Sequence, residues 1–211
     1  MTSKVHYGRK MSEPAFSRAE PDARRQSLIE ATVRVLAERG AGGISVRYVA
    51  VAAGVSAGLV NHYFNGIDDL IAETYAYVGA RVKGALHDAL HAAENNPRAR
   101  LNAYVTANFS PPIADPALLS TWIAFWSLMR TRPRIARLHE QQYAAYRDDI
   151  AMLLGACGMT DVRQLQRQSI AITALIDGLW LELCLSPLTF TPIEACAMAQ
   201  EHIELVLTKL R

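Results

Sequence analysis

The sequence predicts an all-α protein in which a small N-terminal helical domain is joined to a larger helical body. Apolar residues recur at intervals of three and four through most of the 211 residues, as they do along one face of a helix. No stretch alternates convincingly between polar and apolar residues, so strands are not expected. Ser, Asp, Pro and Gly residues stand where helices are expected to begin and end. A chain of this length forms one domain, or a small domain beside a larger one.

The first 21 residues are predicted to form a polar, disordered tail. They lack the apolar segment of a signal peptide, so export is not expected. A first helix is predicted over about 22–39, because its apolar residues fall on one face and Gly40 follows its last turn.

Residues 45–64 (SVRYVAVAAGVSAGLVNHYF) are predicted to form a helix-turn-helix. Ser45 and Ser56 are good N-caps, because their hydroxyl oxygens can accept hydrogen bonds from the free amides of a first helical turn. Gly54 follows the last apolar residue of the first helix, where a left-handed backbone conformation costs least without a Cβ. In such a motif the second helix enters the major groove of DNA.

The outer face of the second helix is small and polar near its start, so a DNA backbone can come close to it. No long acidic side chain stands there to repel phosphate. An ordinary helical hairpin that binds nothing has the same local pattern, and spacing alone leaves both interpretations open. The residues proposed to contact DNA are Arg24, Arg25, Ser45, Arg47, Ser56, Ala57, Gly58, Asn61, His62 and Tyr63.

The segment from Arg24 to Leu70 resembles the DNA-binding domain of the TetR family of bacterial transcriptional regulators. The resemblance rests mainly on AGVS at 53–56 and on His62-Tyr63-Phe64 at the family's spacing. It implies a three-helix domain whose third helix recognises operator DNA, in a regulator that is not an enzyme. One position departs from the family pattern. The family's phosphate-binding lysine, three residues after the Phe, is Ile67 here, so the resemblance does not extend to that contact.

The rest of the chain is predicted to bind a ligand and to dimerise. We place a disordered tail at 1–21, a helix-turn-helix DNA-binding domain at 22–66 and a ligand-binding and dimerisation domain at 67–211. Pro97 and Pro133 stand near first helical turns, where proline is well tolerated. The nine predicted helices span about 22–39, 46–53, 57–63, 68–93, 97–109, 116–130, 133–155, 160–185 and 191–211.

Residues 169–188 (SIAITALIDGLWLELCLSPL) are apolar enough to resemble a membrane span. Asp177 and Glu182 would be costly inside a bilayer, so a buried helix is predicted instead and no membrane partner is expected. Small residues between Ala171 and Gly178 form a stripe that lets another helix approach. With the last helix, this stretch is predicted to form a two-fold homodimer interface, although packing within one chain is the alternative. A dimer would set two recognition helices about one DNA turn apart, roughly 34–36 Å, on a palindromic operator.

Aromatic residues concentrate in the middle helices, where a cavity for a small effector is expected. An aromatic cage with a carboxylate suits a quaternary ammonium ion, because cation–π attraction needs no hydrogen-bond donor on the cation. Glu140, Asp148 and Asp177 are candidates for the carboxylate. Aromatic residues at helical spacing are equally typical of an ordinary core, so both interpretations stay open. The residues proposed to bind the effector are Tyr104, Phe109, Trp122, Phe125, Trp126, Tyr143, Asp177 and Trp180.

Two segments of the body, TWIAFW at 121–126 and ALIDGLWLE at 174–182, resemble the choline-responsive repressors of glycine betaine synthesis, a group within the TetR family. The region of Asn108 and Phe109 resembles them as well. This resemblance implies a repressor that choline or a similar cation releases from its operator. Polyamines, aromatic cations and apolar molecules are the alternative effectors.

The motifs of several enzyme classes are missing from the sequence. It contains no GxGxxG after a strand, no P-loop lysine, no GxSxG and no HExxH, so no catalytic residue, cofactor or metal is expected. A helical scaffold without a nucleic-acid role is a further alternative. The three cysteines form no CxxC pair, which favours reduced thiols in the cytoplasm. Residues 1–65 have nine Lys/Arg against five Asp/Glu, a net charge of +4, which favours phosphate contact at that end.

Overall fold

The computed structural model describes residues 21–208, and within that range the chain is helical and has no strand. The all-α prediction and the predicted order of nine helices are confirmed there. The predicted tail, apart from Pro21, and residues 209–211 lie outside the described residues. A short 3₁₀ turn, Ala41–Gly43, follows the first helix. The helices are α1 Pro21–Arg39, α2 Val46–Ala53, α3 Ala57–Tyr63, α4 Ile67–Ala92, α5 Pro97–Asn108, α6 Pro116–Met129, α7 Pro133–Ala156, α8 Val162–Leu185 and α9 Pro192–Thr208.

Helices α1–α3, which we refer to as the head, enclose a small core with the first turn of α4. Leu28 and Val35 of α1 pack there with Val49 of α2, Val60 of α3 and Leu70 of α4. These residues recur at helical spacing in the sequence. The apolar face that predicted each helix is therefore the face that is buried in this core.

Helices α4–α9, which we refer to as the body, enclose a second and larger core. Tyr75, Tyr104 and Phe125 are its largest fully buried side chains. Helix α1 packs against α6 of the body as well as against α2 and α4, and Leu36 at its C-terminal end belongs to the larger core. The head is therefore fixed to the body along two helices, α1 and α4.

Helix α8 has one face in the core and one in solvent. Ile172, Ile176 and Trp180 are buried, whereas Ala174 and Gly178 on the other side are exposed. Among the described helices, α8 alone is long and apolar enough to cross a membrane, by length and composition only, with a mean hydropathy of 1.4. Its inner face packs against α6, α7 and α9. A core position thus accounts for the apolar residues of that face, and the small exposed residues opposite need another explanation.

Candidate DNA-recognition surface and effector cavity

The third helix of the head presents the residues that were predicted to meet DNA. The Ser56 hydroxyl caps it by accepting a hydrogen bond from the amide of Leu59, with an Oγ–N distance of 3.2 Å. Val60 anchors the inner face in the head core. Because the inner face is held in this way, the opposite face is rigid and open to solvent. The exposed predicted residues are Ser56, Ala57, Gly58, Asn61 and His62.

The second helix is held by the caps that the sequence predicted. The Ser45 hydroxyl accepts a hydrogen bond from the amide of Tyr48, with an Oγ–N distance of 3.3 Å. Gly54 ends the helix at a φ of 66°, a left-handed conformation that favours glycine. Arg47 is exposed at the start of this helix. Tyr63 is half-buried at the edge of the head core.

The two arginines predicted to contact DNA from α1 have different surroundings. The guanidinium of Arg25 lies 3.2 Å from a carboxylate oxygen of Glu73 on α4 and 4.9 Å from the centre of the Phe64 ring. These contacts hold α1 against α4, and the contact of Arg25 with phosphate stays a prediction. Arg24 is half-exposed and has no ion-pair partner within residues 21–208, so it is the better candidate.

The start of α4 is tied to α7, at the place where the family has its phosphate-binding lysine. Ile67 packs against both the head core and the body core. Asp68 forms an ion pair with Arg132, and Asp69 forms one with Arg134 at the start of α7. The pKa of Asp69 is lowered by a backbone amide that donates to its carboxylate and by Arg134. This end of α4 therefore binds the body rather than an anion.

A cavity of about 350 Å³ lies in the body between α4, α5, α6, α7 and α8. Its volume is within the usual range for sites that bind small molecules. The chain has three tryptophans, and all three line this cavity. The lining residues are Ala76, Gly79, Ala80, Val82, Lys83, Leu86, Tyr104, Asn108, Trp122, Trp126, Gln141, Gln142, Tyr143, Ala145, Tyr146, Asp149, Ile176, Asp177 and Trp180.

Asp177, one of the candidate carboxylates in the sequence, lines the cavity. The hydroxyl of Tyr143 donates a hydrogen bond to its Oδ1, with an O–O distance of 3.1 Å. Burial raises the pKa of Asp177 to about 6, although the Tyr143 hydrogen bond and the nearby positive charge of Arg147 act to lower it. The carboxylate is therefore mostly ionised at neutral pH, and among residues 21–208 its Oδ2 has no hydrogen-bond partner.

A second carboxylate, Asp149, lines the cavity and was missed by the sequence analysis. Its Oδ2 lies 3.4 Å from the hydroxyl of Tyr104 and 3.3 Å from Nε2 of His87. The carboxylate accepts both hydrogen bonds, and burial together with this negative neighbour raises the pKa of Tyr104. His87 of α4 is thus a neighbour of the cavity through Asp149.

Asn108 holds three of the cavity helices together. Its side-chain nitrogen donates to the carbonyl oxygen of Tyr104 at 2.9 Å, and its side-chain oxygen accepts a hydrogen bond from the hydroxyl of Tyr146 at 3.0 Å. The indole nitrogen of Trp180 donates to the Asn108 carbonyl oxygen at 2.9 Å. These bonds fix the orientation of Tyr146 from α7 and Trp180 from α8, so their rings form a preorganised wall.

Two of the eight residues predicted to bind the effector do not line the cavity. Phe125 is fully buried and packs edge-on against Tyr75 and Trp122, with ring centres 5.0 and 5.8 Å apart. Phe109 is also buried in the body core. Phe125 turns toward the core from α6, and Phe109 does so just after the end of α5, so neither lines this cavity. The other six, Tyr104, Trp122, Trp126, Tyr143, Asp177 and Trp180, line the cavity.

The lining contributed by α7 could have been recognised from spacing. Tyr143, Tyr146 and Asp149 stand at intervals of three, which places them on one face of the helix. Glu140 and Asp148, considered as carboxylates in the sequence, are instead exposed. The sequence of α7 alone does not show which face of the helix turns inward, because that depends on the helices packed against it.

Two families match consecutive parts of the chain. Residues 28–74 match the family described as bacterial regulatory proteins, tetR family. Residues 97–208 match the family described as BetI-type transcriptional repressor, C-terminal, which covers the body from α5 to α9. Residues 75–96, which lie between the two matches, form most of α4 and the turn that follows it.

Whole-length relatives agree with these two matches. The HTH-type transcriptional regulator BetI of Pectobacterium carotovorum is 35% identical over 190 residues, covering 88% of this chain and 95% of the relative. A solved transcriptional regulator from Pseudomonas aeruginosa PAO1 is 38% identical with a TM-score of 0.83, over 92% of this chain and 95% of that chain. A transcriptional regulator from Saccharomonospora viridis, solved in complex with choline, has a TM-score of 0.77 at 20% identity, over 87% of this chain and 96% of that chain.

Proposed function

The chain belongs to the TetR family of bacterial transcriptional regulators and has a BetI-type C-terminal domain, and we propose that its effector is a quaternary ammonium cation such as choline. As a member of this family it is a DNA-binding repressor rather than an enzyme. Regulators of this family bind operator DNA and small effectors and act as dimers. The effector class, the contacts with DNA, the domain limits, the dimer surface and a cytoplasmic location, where bacterial operators lie, are our proposals.

The observation that supports a cationic effector is the composition of the cavity wall. Trp122, Trp126 and Trp180 offer aromatic faces, and Asp177 offers an oxygen that is not used within the described residues. A quaternary ammonium ion has no hydrogen to donate, so aromatic faces and a carboxylate are the groups that attract it. Each cation–π contact contributes about 0.5–2 kcal/mol, so several faces are needed together.

The choline complex of the Saccharomonospora viridis regulator adds support at the level of fold only. That protein has a similar chain path and binds choline, while its identity to this chain is 20%. An apolar effector is the second candidate, because most of the cavity wall is hydrocarbon. The acidic groups favour the cation, since an ionised carboxylate facing an apolar ligand would lose water without gaining a partner.

We propose that α8 and α9 form the dimer surface. Ala171, Ala174 and Gly178 lie exposed along α8, and small residues let two helices approach closely. Larger apolar side chains beside them, including Leu181 and Leu185, are also exposed. Only a third of the apolar stretch of α8 is buried within one chain. Packing of this face against a second copy would remove the rest from water, which would explain why the helix is apolar.

Operator contacts are proposed for Arg24, Ser45, Arg47, Tyr63 and the exposed face of α3. Arginine and serine side chains at the edges of the motif are suited to bind phosphate. Such contacts position the protein on DNA but do not select a base sequence. Asn61 and His62 are longer polar side chains on the open face of α3, so they are the candidates for base contacts.

Helices α4 and α7 offer a physical route between effector and DNA. They are paired near the head through Asp68 and Arg132, and both line the cavity farther along. Where they cross, a Cβ at Gly79 would collide with the Gln142 side chain, so the helices are in close contact there. A ligand that separates them at the cavity would change the angle of α4 and hence the distance between two heads. Coupling energies between such sites are typically about 1–3 kcal/mol, which is roughly 5–150-fold in affinity.

The experiment starts from the full-length chain and a random DNA library. Selection followed by sequencing is expected to return an inverted repeat whose half-sites lie about one helical turn apart. Fluorescence anisotropy of that duplex is then measured with and without choline. Release by choline, but not by its neutral carbon isostere 3,3-dimethylbutanol, supports the proposal. Unchanged operator affinity at saturating choline would show that choline is not the inducer.

A further inference from the structure

We infer that ligands enter the cavity through an opening between α4 and α7, and that the side chain of Gln142 is the gate that closes it. The inference rests on the proposed effector site and concerns how that site is reached, whichever molecule it binds. Among the described residues that line the cavity, those exposed to solvent are Ala80 and Lys83 of α4 and Gln141 of α7. The cavity therefore reaches the surface on the side of these two helices.

The cavity walls formed by α5, α6 and α8 are more deeply buried. Tyr104, Trp122 and Trp180 each have at most 7% of their surface exposed. Trp126 of α6 and Asp177 of α8 are half-buried. The dimer surface that we propose lies on α8 and α9 and does not include α4 or α7. The side of α4 and α7 is thus the route from solvent that the structure favours.

Helices α4 and α7 run side by side in the same direction, because residues later in α4 contact residues later in α7. The hydroxyl of Tyr75 lies 3.1 Å from Nδ1 of His139. Farther along, Nε2 of His87 lies 3.3 Å from a carboxylate oxygen of Asp149. The stretch of α4 between these two contacts is about 18 Å long. Within residues 21–208 no other hydrogen bond or ion pair joins the two helices in this stretch, so an opening can form there while both contacts remain.

Gln142 lies across this stretch. Its side chain covers Gly79 so closely that a Cβ at Gly79 would stand 2.5 Å from the amide carbon of Gln142. Glycine is unfavourable in the interior of a helix, so its place in α4 needs a reason. The reason is that the Gln142 amide occupies the space that a side chain would take. The neighbouring lining residues Ala76, Ala80 and Ala145 are small, so Gln142 is the side chain that closes the space between the helices here.

A rotation of this one side chain is the least costly way to open the cavity. Gln142 is half-buried, and its amide has no hydrogen-bond partner within the described residues. Exposed side chains change rotamer in picoseconds to nanoseconds. Separation of the two helices would instead break the contacts of Tyr75 and His87 with α7. The side chain of Gln142 can thus admit a ligand while α4 and α7 stay together.

The first test measures access without assuming an effector. All three tryptophans line the cavity, so quenching of their fluorescence by acrylamide reports how easily a small neutral solute reaches it. Gln142→Ala in the full-length chain is expected to raise the quenching constant roughly twofold or more, because access no longer waits for a local opening. Gln141→Ala, the same change at the neighbouring position, should leave the constant unchanged.

A second pair of variants acts from α4. Gly79→Ala places a methyl group where the Gln142 amide lies, so it should displace that side chain and raise the quenching constant. Gly84→Ala is the matched control, because a Cβ there has nothing within 4 Å and the change to alanine favours the helix in the same way. An unchanged constant in Gln142→Ala, or equal constants in Gly79→Ala and Gly84→Ala, would overturn the inference. The α4 pair decides if Gln142→Ala fails to fold.

Stopped-flow mixing with choline separates a gate from a ligand contact. A gate limits entry and exit alike, so Gln142→Ala should raise the association and dissociation rate constants by a similar factor and keep the dissociation constant within about twofold. A rise in the dissociation rate constant alone, with weaker binding, would show that Gln142 contacts the ligand and would overturn the inference. If choline does not bind at all, the proposed effector class is refuted, and the acrylamide comparison still decides whether Gln142 is a gate.

Discussion

Replacing Asp177 with asparagine is expected to weaken choline binding and to remove most of its pH dependence. The substitution keeps the size of the side chain and an oxygen that can accept the Tyr143 hydrogen bond. It removes the negative charge that faces the three tryptophans of the cavity. The cation–π contacts remain in the variant, so any loss of affinity measures the contribution of the Asp177 charge to choline binding.

The size of the loss follows from the geometry of the site. A unit charge about 4 Å from the carboxylate gains about 4 kcal/mol at an effective dielectric constant of about 20. Part of this gain is offset because both charges leave water. A net contribution of about 1–3 kcal/mol remains, which is roughly 5–150-fold in the dissociation constant.

The direction of the pH effect follows from the pKa of Asp177, which burial raises to about 6. Cation binding stabilises the ionised form, so the proton must leave for choline to bind. Affinity should be constant above pH 7 and fall below pH 6, by at most about tenfold per pH unit. His139 stacks on Tyr143 with ring centres 4.0 Å apart, and burial lowers its pKa. Its positive charge at low pH would also oppose the cation, so His139→Gln is the control.

The assay is a titration of tryptophan fluorescence with choline at pH 7.5 and pH 5.5. The wild type and His139→Gln should both bind more weakly at pH 5.5. Asp177→Asn should bind weakly at both values. Wild-type affinity in Asp177→Asn, or the same pH profile as the wild type, would refute the assignment of Asp177 to the cation.

Three further predictions concern DNA, the dimer and the cavity wall. His62→Ala should relax sequence preference at one operator position, because a bidentate base contact discriminates between bases by about 1–3 kcal/mol. Its affinity for scrambled DNA, measured by fluorescence anisotropy, should be unchanged. A retained sequence preference would exclude a base contact by His62. Ala174→Arg should give a monomer in sedimentation at micromolar concentration, whereas Ala92→Arg, on an exposed position of α4, should not; a dimeric Ala174→Arg would place the interface elsewhere. Asn108→Ala should lower the urea midpoint, because each buried group left without a partner costs about 1–3 kcal/mol; an unchanged midpoint would mean that water replaces both bonds.

Local chemistry made the helices of this chain predictable. Ser45 and Ser56 cap α2 and α3, and Asp115 and Asp161 do the same for α6 and α8. Gly54 ends α2 in the conformation that glycine favours. Such signals act within four residues of a helix end, so the sequence contains them in full.

The lining of the cavity was less predictable, because it depends on how helices face one another. Phe125 and Trp122 stand three residues apart on α6, yet one fills the core and the other lines the cavity. The sequence did not show that Glu73 of α4 lies beside Arg25 and forms an ion pair with it. Asp149 was overlooked because an acidic residue in a polar stretch of a helix usually faces solvent. Each of these outcomes is decided by a partner distant in sequence.

We propose that this repressor senses a cation in a cavity walled by tryptophan. Fluorescence of the wild-type chain titrated with choline, in parallel with 3,3-dimethylbutanol, tests it most directly, since every tryptophan of the chain lines the cavity. Saturable quenching by choline with little response to the neutral isostere is the predicted result. An equal response to both would mean that the charge of the ligand does not matter in the cavity, so the effector would not be recognised as a cation.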